Sequence, residues 1–319
     1  MKQLIFFAIL SYFVVTQHAF ELELQDFKDP IELPIYQEAI RNMKPNFTNI
    51  ERERRIVGGE ISQFGQFPYT VALHMRSRQG MFVCGGALIK YNWVLTAAHC
   101  IEGFNSIQVI VGTINRISGP SVFNITVSHS RDLIPHPQFN PTTISNDIGL
   151  IRLRTATPSL LDHTFVDVIS LPTIIDSQID LTGRMSTVSG FGATGFRMPP
   201  SEVLRFIKVP VISNQECSQV FGNAILSSNL CVSTIGGRSP CPGDSGGPLT
   251  TQIDLNRTVI IGVVSFGAED CGIEVPVAFA RVTSFLPWIE SVIGSGTNIL
   301  LEKFVGILIM IILFVRNLI

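Results

Sequence analysis

Residues Cys241–Pro248 read CPGDSGGP, a serine set between an aspartate and two glycines. A serine hydroxyl is a poor nucleophile at neutral pH and needs a nearby base with a pKa near 7, which histidine supplies. That base needs a carboxylate to set its tautomer and to stabilise the imidazolium that forms. Both partners stand upstream in short apolar strings: His99 in LTAAHC (Leu95–Cys100) and Asp147 in NDIGLIRL (Asn146–Leu153). The glycines beside Ser245 let the backbone turn tightly and aim amides inward, where a developing oxyanion needs donors. Singly, a histidine is usually structural, an aspartate often closes a turn, and a glycine turn means little. Together the three strings point to nucleophilic acyl transfer.

Outward from these strings the texture is one of short apolar runs punctuated by Gly and Pro. YTVALHM, NWVLTAA, IQVIVG, IGLIRL, STVSGFG, VIIGVVSFG and VAFARV read as strands. SFLPWIESVIG reads as a helix, capped by Ser284 and stopped by Gly294. Many short strands at regular spacing predict an all-β barrel or sandwich. A chain of 319 residues can bury a large core, in one large β domain or two smaller ones. Net charge is −2 and only 15% of residues are charged, with no basic stripe, so nucleic acid is not an expected partner. There is no internal repeat.

The two ends differ from this middle. Residues 1–19 read as a signal peptide, with Lys2 as the positive end, an apolar run Leu4–Val15 and small Ala19 at the cleavage point. The run is short for a membrane span. Residues 20–55 are polar, charged and proline-scattered, without cysteine or a sustained apolar period, and read as a detachable segment rather than a domain. A secretory route makes disulfides the expected state of Cys84, Cys100, Cys217, Cys231, Cys241 and Cys271, with the pairing open on spacing alone. Asn46, Asn124 and Asn256 stand in N-x-S/T sequons. Residues 295–319 are a hydrophobic tail: Gly294, Ser295 and Gly296, a short spacer, then an apolar run Phe304–Val315 between Lys303 and Arg316. This pattern matches a GPI-anchor signal, or a transmembrane helix with both cations snorkelling. Either attaches the protein to the cell surface.

From Ile56 to about Gly294 the chain resembles the chymotrypsin-like serine proteases, in the three strings and in their His–Asp–Ser order. The resemblance implies two packed six-stranded antiparallel Greek-key β-barrels with a short C-terminal helix. It implies that His99 is general base and acid, Asp147 its orienter and Ser245 the nucleophile. The amides of Gly243 and Ser245 become the oxyanion donors. It also pairs Cys84 with Cys100, Cys217 with Cys231 and Cys241 with Cys271.

RERRIVGG (Arg52–Gly59) then acquires a meaning. Relatives are activated by a cut before IVGG, so cleavage after Arg55 frees an Ile56 ammonium to pair with Asp244. Arg52, Arg54 and Arg55 suit either a trypsin-like or a furin-like activating protease. The resemblance puts Ser239 at the floor of the primary pocket, Gly267 and Val277 on its walls, and Ser265, Phe266 and Gly267 along the substrate backbone. Ser239 is not an acid, which disfavours a trypsin-like preference. Val277 stands where deep pockets carry glycine, so the pocket should be shallow and apolar and take Leu, Met or smaller residues. Pro242 departs from the usual flexible residue beside the pocket mouth and fixes the backbone there. No acidic residue lies between Glu102 and Asp132, where calcium-binding relatives hold their ion, so neither a metal nor a cofactor is expected. Protein or peptide substrates and a monomer complete the expectation. The alternative is a catalytically silent homologue acting as an adhesion or scaffold glycoprotein.

Overall fold

Each of the seven runs expected to be extended falls on a strand. The structure, a computed structural model, describes residues 27–43, 59–118, 123–154, 165–254, 257–268 and 270–294. The expected signal peptide, Asn46, Arg55, Ile56, Asn256 and the C-terminal tail lie outside the described residues. The described chain opens with β1 (Phe27–Lys28), a 3-10 turn (Pro30–Glu32), α1 (Pro34–Asn42) and β2 (Glu60–Ile61). A first set of strands follows: β3 (Thr70–Ser77), β4 (Gly80–Lys90), β5 (Trp93–Thr96), β6 (Ile107–Val111), β7 (Phe123–Val127), β8 (Leu133–Pro135) and β9 (Gly149–Arg152). The second set is β10 (Met185–Gly190), β11 (Arg205–Ile212), β12 (Asn229–Val232), β13 (Pro248–Asp254), β14 (Arg257–Phe266) and β15 (Val277–Arg281), with α2 (Asn214–Phe221) between β11 and β12.

The strands form two antiparallel sheets. The first runs β7-β6-β3-β4-β5-β9-β8, and β1 adds to β4 in parallel. The second runs β10-β13-β14-β15-β12-β11-β2. Pairing of β10 with β11, Val188 opposite Ile207, closes its six main strands into a barrel. The two-barrel expectation is met by this closed barrel and by a first sheet that stays a half-barrel, since β7 and β8 are not paired among the described residues.

Inside the closed barrel, Val188, Val209, Leu230, Leu249, Val259 and Phe279 form a continuous core. Burying each such side chain contributes about 1.5–3 kcal/mol. The pairs Cys84–Cys100, Cys217–Cys231 and Cys241–Cys271 are present, as the resemblance implied. Closures of 14 and 16 residues each restrict the unfolded chain by about 3 kcal/mol. The expected C-terminal helix covers residues 282–294, so Ser284 lies inside it rather than at its cap, and helix continues through Gly294. Among the described residues no helix is long and apolar enough to cross a membrane.

The segment before Arg55 departs from its expected character. Pro34 opens α1 at a position where a missing amide costs nothing. Tyr36, Ala39 and Ile40 share one face of α1 and are buried. They pack with Ile144, Phe266, Val275 and Ala278, and with half-buried Phe139. A patch of only three residues on a nine-residue helix is too brief a period to stand out among the charges around it, and it becomes apolar surface only against the strands that cover it.

Candidate active site

β5 ends at Thr96, and the chain closes into a 3-10 turn, Ala98–Cys100, that carries His99. The Cys84–Cys100 disulfide fastens this turn to β4. Asp147 sits just before β9 and after Asn146, whose φ is 55°. Its Oδ2 accepts from His99 Nδ1 at 2.8 Å and its Oδ1 from the His99 amide at 3.0 Å. The Ser265 hydroxyl, from β14 of the other sheet, donates to Oδ2 at 2.6 Å. This carboxylate therefore fixes the ring and directs a proton to Nδ1. Burial disfavours the charged imidazole, but the charge and hydrogen bond of Asp147, aided by Asp29, outweigh it and hold the His99 pKa well above its ordinary value.

Ser245 enters from the loop before β13. Its carbonyl accepts from the Gly85 amide at 2.7 Å, which ties the loop to β4, and the next residue, Gly246, donates to Val264 O at 2.9 Å. His99, Asp147 and Ser245 are all buried at the junction of the two sheets. No hydrogen bond joins His99 Nε2 to Ser245 Oγ among the described residues. Nε2 lies 3.8 Å from Asp29 Oδ1 and 3.7 Å from Cys100 Sγ. Gly243, at φ 96°, holds a backbone that other residues adopt only with strain. Its amide, an expected oxyanion donor, donates to Asp29 Oδ2 at 2.7 Å. His99 also forms a close group with Cys84 and Cys100. Both sulfurs are consumed in a disulfide, so this group offers no thiolate to a metal.

A cleft of about 390 Å³ runs beside Ser245, lined by Pro242, Ser265, Phe266, Gly267 and Val277 among others. Gly267 and Val277 face each other so closely that a Cβ on residue 267 would lie 3.0 Å from Val277 Cγ2. Phe266 is buried with its ring edge-on to Phe221 at 5.5 Å. Ser239 is the exception to the expected set. It does not line this cleft: its hydroxyl donates to Pro240 O at 2.8 Å, and it borders a second cavity shared with Asp244, Gly190, Gly192 and Gly59. With its hydroxyl satisfied locally, nothing turns it toward the cleft.

Asp244 points into that second cavity. Its Oδ1 accepts from the Gly192 amide at 2.8 Å and its Oδ2 from the Cys241 amide at 2.9 Å. A Cβ on Gly190 or Gly192 would collide with the carboxylate, so only glycine leaves room for it. Burial pushes the Asp244 pKa up to about 6, the two amides pull it down and the Asp29 charge raises it. A carboxyl bound more tightly to its proton in the folded state than its ordinary value of 3.8 contributes stability at low pH. That contribution is full below about pH 4 and is lost as pH rises through about 6. The uncut chain should therefore lose melting temperature across this window, and Asp244→Asn should remove that part of the slope. An unchanged slope in the variant would contradict the assignment.

Asp29 and Tyr36 were not among the residues expected to matter. The Tyr36 ring stands edge-on to the His99 ring at 5.7 Å between centroids. The available signals were the Asp29–Pro30 pair, which caps a turn, and the helix start at Pro34. Neither says what the turn will face.

The Trypsin family model matches residues 56–289. Chymotrypsin of Phaedon cochleariae is 37% identical over 82% of this chain and 91% of its own length. Brachyurin of Leptuca pugilator is 35% identical, over 75% of this chain and 99% of its own. The solved structure of HL collagenase superposes with a TM-score of 0.65 at 34% identity, covering 75% of this chain and 99% of that one. The family match includes the strings around His99, Asp147 and Ser245. The chain belongs to the trypsin family and is a serine endopeptidase.

Proposed function

We propose that the chain is the zymogen of an extracellular serine endopeptidase that is activated by a cut after Arg55 and prefers apolar residues on the acyl side of the scissile bond. Ser245 Oγ attacks the substrate carbonyl while His99 Nε2 takes its proton. Asp147 holds the ring and stabilises the imidazolium. The amides of Gly243 and Ser245 meet the oxyanion, and His99 returns the proton to the leaving amine. Water then attacks the acyl-enzyme by the same route. The observation that most supports this reading is that Ser245 lines the cleft while Asp29, on the same cleft wall, reaches both the Gly243 amide and His99 Nε2, whose ring is held by Asp147.

The activation step is supported by Asp244, whose carboxylate borders a cavity that also includes Gly59, three residues beyond Ile56. The preference is supported by the cleft's composition. Among the described residues lining it, the only acids are Asp29 and Glu32, both from the segment that activation would release. Once that segment leaves, the other described residues lining the cleft bring no acid to pair with a basic side chain. A tail at residues 295–319 would attach the enzyme to the cell surface, and among the described residues Asn124, exposed on edge strand β7, is a sequon open to glycosylation.

A fluorophosphonate probe tests the reading. The cut chain, separated from the released segment, should label, and Ser245→Ala should not. Equal behaviour of the two would favour a silent scaffold homologue. On peptide substrates, Leu or Met at the acyl position should exceed Arg. Val277→Gly should deepen the pocket and raise the Phe-over-Leu ratio of kcat/KM by roughly 10-fold or more, the scale on which hydrophobic pockets discriminate. No change in that ratio would remove Val277 from the pocket wall.

A further inference from the structure

We propose that residues 27–43 are a built-in inhibitor laid through the cleft in reverse, with the Asp29 carboxylate holding the Gly243 amide, so that the protease stays latent after the cut at Arg55 until this segment leaves. The inference rests on the proposed function and adds a second lock to it.

The path of the segment comes first. β1 pairs in parallel with β4, Phe27 opposite Met81 and Lys28 opposite Phe82. Asp29 follows at the centre, 1% exposed. The chain then continues toward the second sheet, where Ile31 and Ile40 border the cleft that Gly267 and Val277 wall. In the proposed mechanism the acyl half of a substrate, N-terminal to the scissile bond, lies along Ser265–Gly267. Here the C-terminal half of the segment lies on that side, so its polarity is opposite to that of a substrate.

The contact at the centre is also unlike a substrate's. The Asp29 carbonyl accepts from the Glu32 amide at 2.9 Å and is held within its own turn. The side chain makes the reach instead. Oδ1 accepts from Ile31 N at 2.9 Å, and Oδ2 accepts from Gly243 N at 2.7 Å. A carboxylate on that amide presents the negative charge for which an oxyanion donor is built, but on a carbon that Ser245 has no leaving group to expel from. Asp29 Oδ1 stands beside His99 Nε2, and the Tyr36 ring covers the imidazole. The segment thus engages the proposed base and one proposed oxyanion donor together.

No cysteine lies in residues 20–55, so no disulfide retains the segment once Arg55 is cut. What holds it is the Asp29 contact and the burial of Tyr36, Ala39 and Ile40. Latency of the cut protein should then obey mass action and weaken on dilution.

The test uses the full chain cut to completion after Arg55, with no step that separates the fragments. At about 1 μM, the wild-type protein should show less than about one-tenth of the specific activity of Asp29→Ala, and on dilution to about 1 nM it should rise with a lag to the same level. Asp29→Asn, which keeps the side chain's shape, should fall between the two, and melting temperatures of all three check that they are folded. Equal specific activity of the active wild-type and Asp29→Ala enzymes at every concentration would overturn the inhibitor while leaving the protease intact. Failure of every cut form to hydrolyse substrate or label with fluorophosphonate would overturn the proposed function and this inference with it.

Discussion

Ser245→Ala should lower kcat/KM of the cut enzyme by roughly 10⁵-fold or more, the loss usual for serine proteases deprived of their nucleophile. The size follows from what the hydroxyl does. Without it no acyl-enzyme forms, and the remaining rate is that of water attacking a carbonyl polarised by the oxyanion donors. The fold should tolerate the change, because the contacts that anchor this residue are made by its backbone. Its carbonyl accepts from Gly85 N at 2.7 Å, and Gly246 N donates to Val264 O at 2.9 Å. Unfolding free energy should therefore stay within about 1 kcal/mol of wild type, since the change removes a single oxygen and leaves these backbone anchors in place. A variant that stays active would move the nucleophile elsewhere.

Arg55→Gln should leave a chain that runs intact on a gel after exposure to the activating protease and hydrolyses substrate roughly 10²–10³-fold more slowly than the cut enzyme. The argument is the proposed pairing of the Ile56 ammonium with Asp244. Leaving one partner of a buried ion pair alone costs about 3–5 kcal/mol, and the loop with Gly243 bears that cost when the ammonium is absent. Asp244 is hydrogen-bonded to Cys241 N, directly within that loop, so its position and that of the Gly243 amide are coupled.

The same pair sets a pH window for the cut enzyme. An α-amine has an ordinary pKa of about 8, and a buried carboxylate partner raises it. The amine's contribution is complete below about pH 8 and is lost as pH rises through the raised value. Pairing also pulls the Asp244 carboxyl down from the value of about 6 that it has here. Its contribution then persists above the ordinary carboxylate range and is lost on acidification. Activity against pH should accordingly fall at the alkaline end as the amine loses its proton, and Asp244→Asn should abolish activity across the whole range rather than shift either limb. Full activity from intact Arg55→Gln would remove the cut from the mechanism.

Much of the protease body was legible before any coordinates. The strings around His99, Asp147 and Ser245 are local, and each keeps its character wherever the chain goes. Period-two and continuous apolar runs named seven strands. Those least visible, such as β4 and β11, carry glycine pairs or a proline that blur the pattern: Gly85 and Gly86 in one, Pro210 in the other. The cysteine pairing came through resemblance, not through spacing, which leaves the choice open.

What the chain alone determined, then, was the catalytic vocabulary and the β class; the cut within RERRIVGG is proposed through the resemblance. The tertiary structure decided what occupies the cleft. It left the first sheet open, turned Ser239 toward the Asp244 cavity and laid a short helix beside His99. It also put the Asp29 carboxylate on the Gly243 amide, across 214 positions of sequence. Local rules cannot foresee such a contact. A lone aspartate before a proline is an ordinary turn residue, and three apolar residues on α1 carry too little burial to order it alone. Both acquire their role only when two sheets, folded from distant parts of the chain, supply the amide and the apolar wall against which they fit.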